Sequence, residues 1–295
     1  MSPAAPVALA LGAVLLAGPG PRVMAGLTRF RRAPFEALVV WQCVALAGVV
    51  AALAVAPAAV ASAGLPGWAT AVALALSAAM LARLLWSGHR VGTRLRSERR
   101  RHRELVDALG THDDSVATRA AGSEVRVLAH PTPTAYCLPG RRQRVVLTEG
   151  TLLALPADEL SAVLAHERAH LQARHDLVLE FFTVLHEAVP PRLRAVEALR
   201  EVRLLVEVLA DRAARRVAGP VPLARALVSL AGGAHPETAL GATDGPGAHA
   251  GTSATRDRML LLTEPDAPLV LRVGMLAFAV AVLATPVLLL VVAVG

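Results

Sequence analysis

The pattern of apolar and polar positions divides the chain into four apolar stretches and one long polar segment. The apolar stretches cover residues 3–18, 37–62, 67–86 and 269–294. Each of them approaches or exceeds the roughly 20 mostly apolar residues that a helix needs to cross a bilayer. The pattern therefore predicts a mainly α-helical membrane protein with three transmembrane helices before the polar segment and one after it.

The arginine residues lie unevenly around these stretches. Four lie between the first and second stretches and seven follow the third, whereas the loop between the second and third is uncharged. Because short cytoplasmic loops accumulate basic residues, we expect the N-terminus outside and residues 87–268 in the cytoplasm of a multi-pass cell-membrane protein. The basic run after the third stretch is typical of a solvated helix that touches anionic lipid head groups.

The overall charge does not indicate a nucleic-acid partner. The formal charge is +7, but all 30 basic residues are arginine and many flank the apolar stretches. Aromatic residues make up only 3% of the chain, which leaves no platform for stacking single-stranded bases. Cys43 and Cys137 do not form a disulfide framework, because one lies in an apolar stretch and the other lies far along the polar segment.

The polar segment predicts a small sheet followed by helices. Predicted strands cover residues 124–130, 134–138 and 143–148, and predicted helices cover 156 to about 175, 177–189, 191–218 and 256–262. Residues 232–254 are rich in Gly, Ala, Thr and Pro, so we expect a mobile loop there. The fold class is therefore a membrane protein with a cytoplasmic α+β domain inserted between the third and fourth spans.

These elements define four predicted regions. The predicted regions are 1–86 with three transmembrane helices, 87–119 as a basic juxtamembrane helix and linker, 120–268 as the cytoplasmic domain, and 269–295 as the last span. The sequence does not define the oligomeric state.

The first of the helices predicted for the polar segment, from residue 156 to about 175, carries an H-E-x-x-H pattern at His166, Glu167 and His170. Four residues of helix make about 400°, so both imidazoles project within about 40° of each other and can bind one zinc ion. Glu167 is offset by about 100° from His166, beside the metal rather than on it, where it can take a proton from water. The pattern predicts a hydrolase with Glu167 as general base and one zinc ion per chain.

A zinc hydrolase needs a third protein ligand. Glu207 and Asp211 lie one helical turn apart in an otherwise apolar stretch, and acidic groups in such a stretch need partners. We assign Glu207 as the third ligand and Asp211 as the acceptor for the far nitrogen of a ligating histidine. The alternative is a pair of local salt bridges from these carboxylates to Arg203, Arg212 or Arg215.

These residues resemble a known family. Residues 145–148, 160–170 and 207–211 are similar to the gluzincin membrane peptidases of the BlaR/MecR type, and more distantly to the HtpX and CAAX-endopeptidase type. The resemblance implies a metal at His166, His170 and Glu207, with Glu167 as base and Asp211 behind a ligand. It also implies that the strand at Ala135, Tyr136 and Cys137 binds an extended substrate by strand addition. The chain ends directly after the last span, so we expect no β-lactam sensing.

Other residues are given weaker roles. His175 lies about 180° round the same predicted helix from His166, so we expect a surface or packing residue. Tyr136, the only tyrosine, is one hypothesis for the oxyanion stabiliser. Arg256 and Arg258 resemble loosely placed features of HtpX-type relatives and are assigned no role.

The function predicted from the sequence is that of a zinc endopeptidase with a protein or peptide substrate. The resemblance to the BlaR/MecR type implies a repressor-type regulator as that substrate. The second hypothesis is a non-catalytic zinc-binding signalling or scaffold protein, which would not need a base beside the zinc. The third is a cation transporter, which should carry ionisable residues inside its spans. The four apolar stretches contain almost none.

Overall fold

A computed structural model describes residues 4–112, 124–191, 194–230 and 248–294. The helices are α1 (Ala4–Ala17), α2 (Pro19–Ala25), α3 (Pro34–Ala63), α4 (Gly67–Leu109), α5 (Glu149–Ala154), α6 (Ala157–Gln172), α7 (His175–Ala188), α8 (Val196–Ala218), α9 (Pro220–Leu230), α10 (Ala248–Thr263) and α11 (Leu269–Val294). The strands are β1 (Glu124–Leu128), β2 (Ala135–Leu138) and β3 (Arg144–Thr148). The predicted mainly helical fold with a small sheet is confirmed.

The described chain forms two compact units. The first comprises residues 1–91, 181–202 and 266–295, and the second comprises 92–180 and 203–265. Helix α4 contributes its first part to one unit and its last part to the other without a break, so the predicted third span and the basic segment after it form one 43-residue helix.

The first unit contains the apolar helices. Among the described residues, α3, α4 and α11 are each long and apolar enough to cross a membrane, and α1 with α2 makes a fourth candidate if this pair, bent by 43°, is one span. Helices α1, α3 and α11 pack through small side chains such as Ala5, Ala54, Ala58 and Ala293. Small residues let helices approach closely in lipid, where packing and not the hydrophobic effect drives association.

Two tryptophans mark the ends of the apolar part of α4. Trp68 is 75% exposed and Trp86 is 62% exposed. Their spacing of 18 residues corresponds to about 27 Å of helix, close to the roughly 30 Å hydrocarbon thickness of a bilayer. Tryptophan favours the membrane–water interface, so this spacing is consistent with a span between the two residues.

The second unit is built around the three-stranded sheet. The strand order is β1-β3-β2, with β1 parallel and β2 antiparallel to β3. Cys137, Val145 and Leu147 pack with Leu160 and Leu164 of α6 on one face. On the other face, Tyr136, Leu138 and Val146 pack with Val106 of α4. Because α6 packs on one face of the sheet and α4 packs on the other, β2 and β3 are buried along their whole length. All three predicted strands are confirmed to within two residues at each end.

Three predicted helix boundaries are wrong. The helix predicted from residue 156 to about 175 ends at Gln172, because Arg174 adopts a left-handed conformation with φ of 52° and α7 starts anew at His175. The helix predicted from Pro191 begins only at Val196, since Pro191 closes a separate turn with the Arg194 amide.

The third wrong boundary concerns the predicted mobile loop at 232–254. Residues 231–247 lie outside the described chain, but the rest of this stretch belongs to α10, which begins at Ala248 instead of Arg256. Alanine is the strongest helix former, and residues 248–254 contain three alanines and a single glycine.

Candidate metal centre

Helix α6 presents His166 and His170 to the same side. The two Nε2 atoms are 3.1 Å apart, and both rings are buried. The apolar positions of the helix, including Leu160 and Leu164, pack against the sheet and fix its rotation. The predicted i, i+4 arrangement of the two imidazoles is therefore present.

Helix α8 brings Glu207 to the same point. Glu207 Oε2 lies 3.4 Å from His166 Nε2, and Oε1 lies 3.4 Å from His170 Nε2. In the described chain, His166, His170 and Glu207 form the group whose donor atoms could hold a metal ion. Donor atoms about 2.0–2.2 Å from one tetrahedral zinc ion lie about 3.3–3.6 Å apart. The two contacts of Glu207 lie within this range, and the 3.1 Å between the imidazole nitrogens is slightly below it. The three residues therefore fit zinc by their donor types and come close to it in spacing.

Asp211 lies behind His166, one helical turn after Glu207. Its Oδ1 is 3.0 Å from His166 Nδ1, so both nitrogens of this imidazole face a carboxylate. Burial acts to lower the pKa of His166, but the adjacent carboxylates of Asp211 and Glu207 outweigh it and raise the pKa to about 10. The site is thus strongly attractive for a cation, which on binding would displace this proton.

Glu167 lies beside this group. It is 5% exposed, and its Oε2 has no hydrogen-bond partner in the described part of the chain. Burial raises the pKa of Glu167 to about 7, while a hydrogen bond from the Cys137 thiol acts in the opposite direction. A buried carboxylate oxygen without a partner can accept a proton from a water molecule, as a general base must.

Arg258 of α10 completes the site and was assigned no role from the sequence. Its Nη1 is 3.0 Å from Glu207 Oε2, and its Nε and Nη2 lie 2.8 and 2.7 Å from the two Asp211 oxygens. Burial acts to raise the pKa values of Glu207 and Asp211, but Arg258 outweighs it and lowers both. Glu207 and Asp211 contact Arg258 and the histidines, so salt bridges to the arginines of α8 alone do not account for their position.

Replacement of Arg258 by glutamine should weaken zinc binding by about 10- to 100-fold, the range found when outer partners of metal ligands are removed. The reason is that Glu207 and Asp211 would lose the bidentate cation that orients them. Competition with a chromophoric chelator measures the change. Arg256→Gln is the matched control, since Arg256 is exposed on the same helix, and equal affinities for the two variants would contradict the assigned role.

His175 is close to the metal group, contrary to the expectation of a surface residue. Its Nδ1 is 3.0 Å from His170 Nδ1, and the residue is 3% exposed. The expectation assumed that α6 continues through residue 175. Because α6 ends at Gln172, the turn at Arg174 brings His175 back towards His170. The packing role is confirmed, and the surface role is wrong.

The predicted substrate strand lies next to the site, but its three residues face different ways. Cys137 contacts Glu167, whereas the Tyr136 hydroxyl is 2.9 Å from His102 Nε2 on the opposite face of the sheet. This position of Tyr136 argues against an oxyanion role. Ala135 packs on the same face as Cys137.

Comparisons with known proteins agree with this chemistry. Residues 96–190 match the model of Peptidase family M48. The chain is 34% identical over 121 residues to the chloroplastic "Plastoglobule-localized metallopeptidase 48" of Arabidopsis thaliana, covering 37% of this chain and 35% of that protein. It is 46% identical over 61 residues to "Mitochondrial metalloendopeptidase OMA1" of Schizosaccharomyces pombe, covering 20% of this chain and 18% of that protein. No solved structure shows significant similarity to the chain.

These matches cover part of the molecule. The chain spans about a third of the length of the Arabidopsis protein and about a fifth of the length of the yeast protein. The matched family region contains His166, Glu167 and His170. The comparisons support a metalloendopeptidase of the M48 type, and they do not extend to the BlaR/MecR or HtpX subtypes that the sequence resembles.

Proposed function

We propose that this chain is a membrane-embedded, zinc-dependent endopeptidase that hydrolyses peptide bonds of a cytoplasmic or membrane-associated protein. The observation that carries the proposal is the convergence of His166, His170 and Glu207 beside the unpartnered carboxylate oxygen of Glu167. The match to Peptidase family M48 over the H-E-x-x-H helix supports it. A repressor-type regulator is the substrate class that the BlaR/MecR resemblance favours.

The proposed mechanism assigns one task to each group. His166, His170 and Glu207 would hold zinc, which when bound supplies a Lewis acid that polarises the peptide carbonyl and acidifies water. Glu167 takes a proton from the attacking water and delivers it to the leaving amine. Asp211 and Arg258 keep His166 and Glu207 in their orientations through the contacts of 2.7–3.0 Å between them.

The substrate is proposed to bind along β2. In the described part of the chain, β2 pairs only with β3, and the Thr148 amide donates to the Thr134 carbonyl. In an antiparallel ladder, hydrogen-bonded pairs alternate with pairs that are not hydrogen-bonded. Because Thr134 is bonded to β3, the backbone groups of Tyr136, two residues further on, also bond to β3. The backbone groups of Ala135 and Cys137 then point to the other edge, where an extended peptide can pair with them.

Access to this edge requires movement. Ala135 is 1% exposed and Cys137 is 0% exposed. A substrate strand therefore reaches their backbone groups only after the residues that cover this edge move aside. Substrate-induced opening and closure of this kind is common in enzymes and takes microseconds to milliseconds.

If the substrate binds as a strand beside β2, only every second substrate amide should form a hydrogen bond with β2. If single amides of a cleaved peptide are N-methylated one position at a time, every second substitution near the scissile bond should raise KM by about fivefold, the equivalent of one hydrogen bond of about 1 kcal/mol. The intervening substitutions should have little effect. Steady-state kinetics on the series measures this pattern, and a uniform response would contradict binding along β2.

We also propose the full membrane arrangement. The bent α1–α2 pair is counted as one span, which gives four spans together with α3, the first part of α4, and α11. The N-terminus lies outside and the peptidase domain lies in the cytoplasm, inserted between the third and fourth spans, as the arginine distribution favours. The regions 1–86, 87–119, 120–268 and 269–295 remain the proposed domain division.

A simple assay separates the proposed peptidase from a non-catalytic zinc-binding scaffold. The detergent-purified chain is incubated with unfolded casein, and new internal termini are identified by mass spectrometry. A peptidase yields such termini. A scaffold binds zinc without producing them, and this outcome would overturn the proposal.

A further inference from the structure

We propose that His175 is a positioning residue for the metal ligand His170, whose Nδ1–H it accepts. The proposal rests on the zinc site described above. It assigns a specific polar role to a residue whose sequence position predicts only packing.

The two ring nitrogens of His170 have different partners: Nε2 faces the metal group, and Nδ1 faces His175. His170 Nε2 lies among the donor atoms of the metal group, 3.1 Å from His166 Nε2 and 3.4 Å from Glu207 Oε1. The ring nitrogen that remains, Nδ1, is 3.0 Å from His175 Nδ1. A histidine that binds zinc through Nε2 carries its proton on Nδ1 and needs an acceptor for it. His175 Nδ1 is the acceptor that the described chain offers.

Each of the two ligating histidines has an acceptor 3.0 Å from its Nδ1, but the two acceptors differ in charge. His166 has the Asp211 carboxylate at 3.0 Å from its Nδ1, and His170 has a neutral imidazole at the same distance. The His175 ring is buried, and an uncharged imidazole has one unprotonated ring nitrogen that accepts a hydrogen bond. Both rings are held in one tautomer, but only one receives an additional negative charge.

The backbone between the helices places His175 for this contact. Continuation of α6 would turn residue 175 about 140° away from His170. Instead Arg174 adopts a φ of 52°, which costs free energy in a non-glycine residue. The new helix α7 then starts with His175, and its ring meets the His170 ring edge to face, with centroids 4.9 Å apart.

Neighbouring ion pairs hold the start of α7. Asp176 is 2% exposed and contacts the Arg174 Nε at 3.2 Å and the Arg99 Nη1 at 3.6 Å. Arg99 also contacts Glu180, one turn further along α7, at 3.4 Å. An acidic residue in the first turn is also favoured by the helix dipole. These contacts limit rotation of the helix start, and therefore of the His175 ring.

The test compares two substitutions of equal branching. His175→Asn keeps an acceptor oxygen near the position of Nδ1, whereas His175→Leu has the same branching without any acceptor. Both remove the ring and leave a similar gap, so their difference isolates the hydrogen bond. Zinc dissociation constants are measured at one pH by chelator competition, and the thermal stability of the metal-free proteins is measured in parallel. His102→Phe is the control, since His102 pairs with Tyr136 on the far face of the sheet.

We expect His175→Leu to weaken zinc binding by about 10- to 100-fold and His175→Asn to remain within about threefold of wild type. His102→Phe should leave zinc affinity unchanged. Equal zinc affinities for the Asn and Leu variants would overturn the positioning role, whatever their stabilities. A wild type that binds zinc without hydrolysis would overturn the proposed function but leave this comparison valid, whereas a wild type without zinc would overturn both.

Discussion

Glu167→Gln should lower kcat for protein hydrolysis by at least about 100-fold while the variant keeps its zinc. General acid–base catalysis contributes about 10²- to 10⁴-fold, and an amide cannot take up the proton of the attacking water. Glutamine has nearly the shape of glutamate, so it should fit the buried site beside Cys137. Zinc content by metal analysis and initial rates of casein hydrolysis give the two readouts.

Asp158→Asn makes the same chemical change on the same helix at an exposed position, so it controls for loss of a negative charge on α6. It should retain wild-type activity and zinc. A Glu167→Gln variant that hydrolyses casein at the wild-type rate would show that another group acts as base. Loss of zinc from this variant would instead make Glu167 part of the metal site.

Glu207→Gln should weaken zinc binding by more than about 100-fold. Removal of an outer partner costs about 10- to 100-fold, and loss of a charged ligand should cost more. The substitution also leaves Arg258 with one buried carboxylate, Asp211, instead of two. Zinc affinity is measured by chelator competition at a pH where the wild type is saturated.

The matched control is Glu197→Gln, because Glu197 is exposed near the start of the same helix. It should bind zinc like the wild type. Unchanged affinity of the Glu207 variant would exclude this residue as a ligand. In that case the convergence of Glu207 with His166 and His170 would reflect an ion pair in the metal-free protein.

The part of the site that lies within one helix could be predicted from the sequence. The spacing of His166, Glu167 and His170 places both imidazoles on one side of any α-helix, and α6 is such a helix. Glu207 could also be proposed, because a carboxylate in an apolar stretch needs a partner. The hydropathy of the apolar stretches similarly predicted the candidate spans, although it did not show that α4 continues unbroken to Leu109.

The residues that the sequence missed depend on long-range packing or unusual backbone. Arg258 lies 47 residues beyond Asp211 along the chain, and no local pattern links the two. His175 reaches His170 only because Arg174, which is neither glycine nor asparagine, adopts the left-handed conformation. The side of the sheet that Tyr136 faces likewise follows from the pairing of β2 with β3, which the strand pattern alone does not define.

Recovery of hydrolysis on zinc titration tests the peptidase assignment most directly. The detergent-purified chain is stripped with a chelator, zinc is added back in steps, and casein hydrolysis is measured at each step. The site at His166, His170 and Glu207 predicts no activity in the stripped protein and full activity at one zinc ion per chain. Hydrolysis that persists without zinc, or that stays absent when one zinc ion per chain is bound, would contradict it.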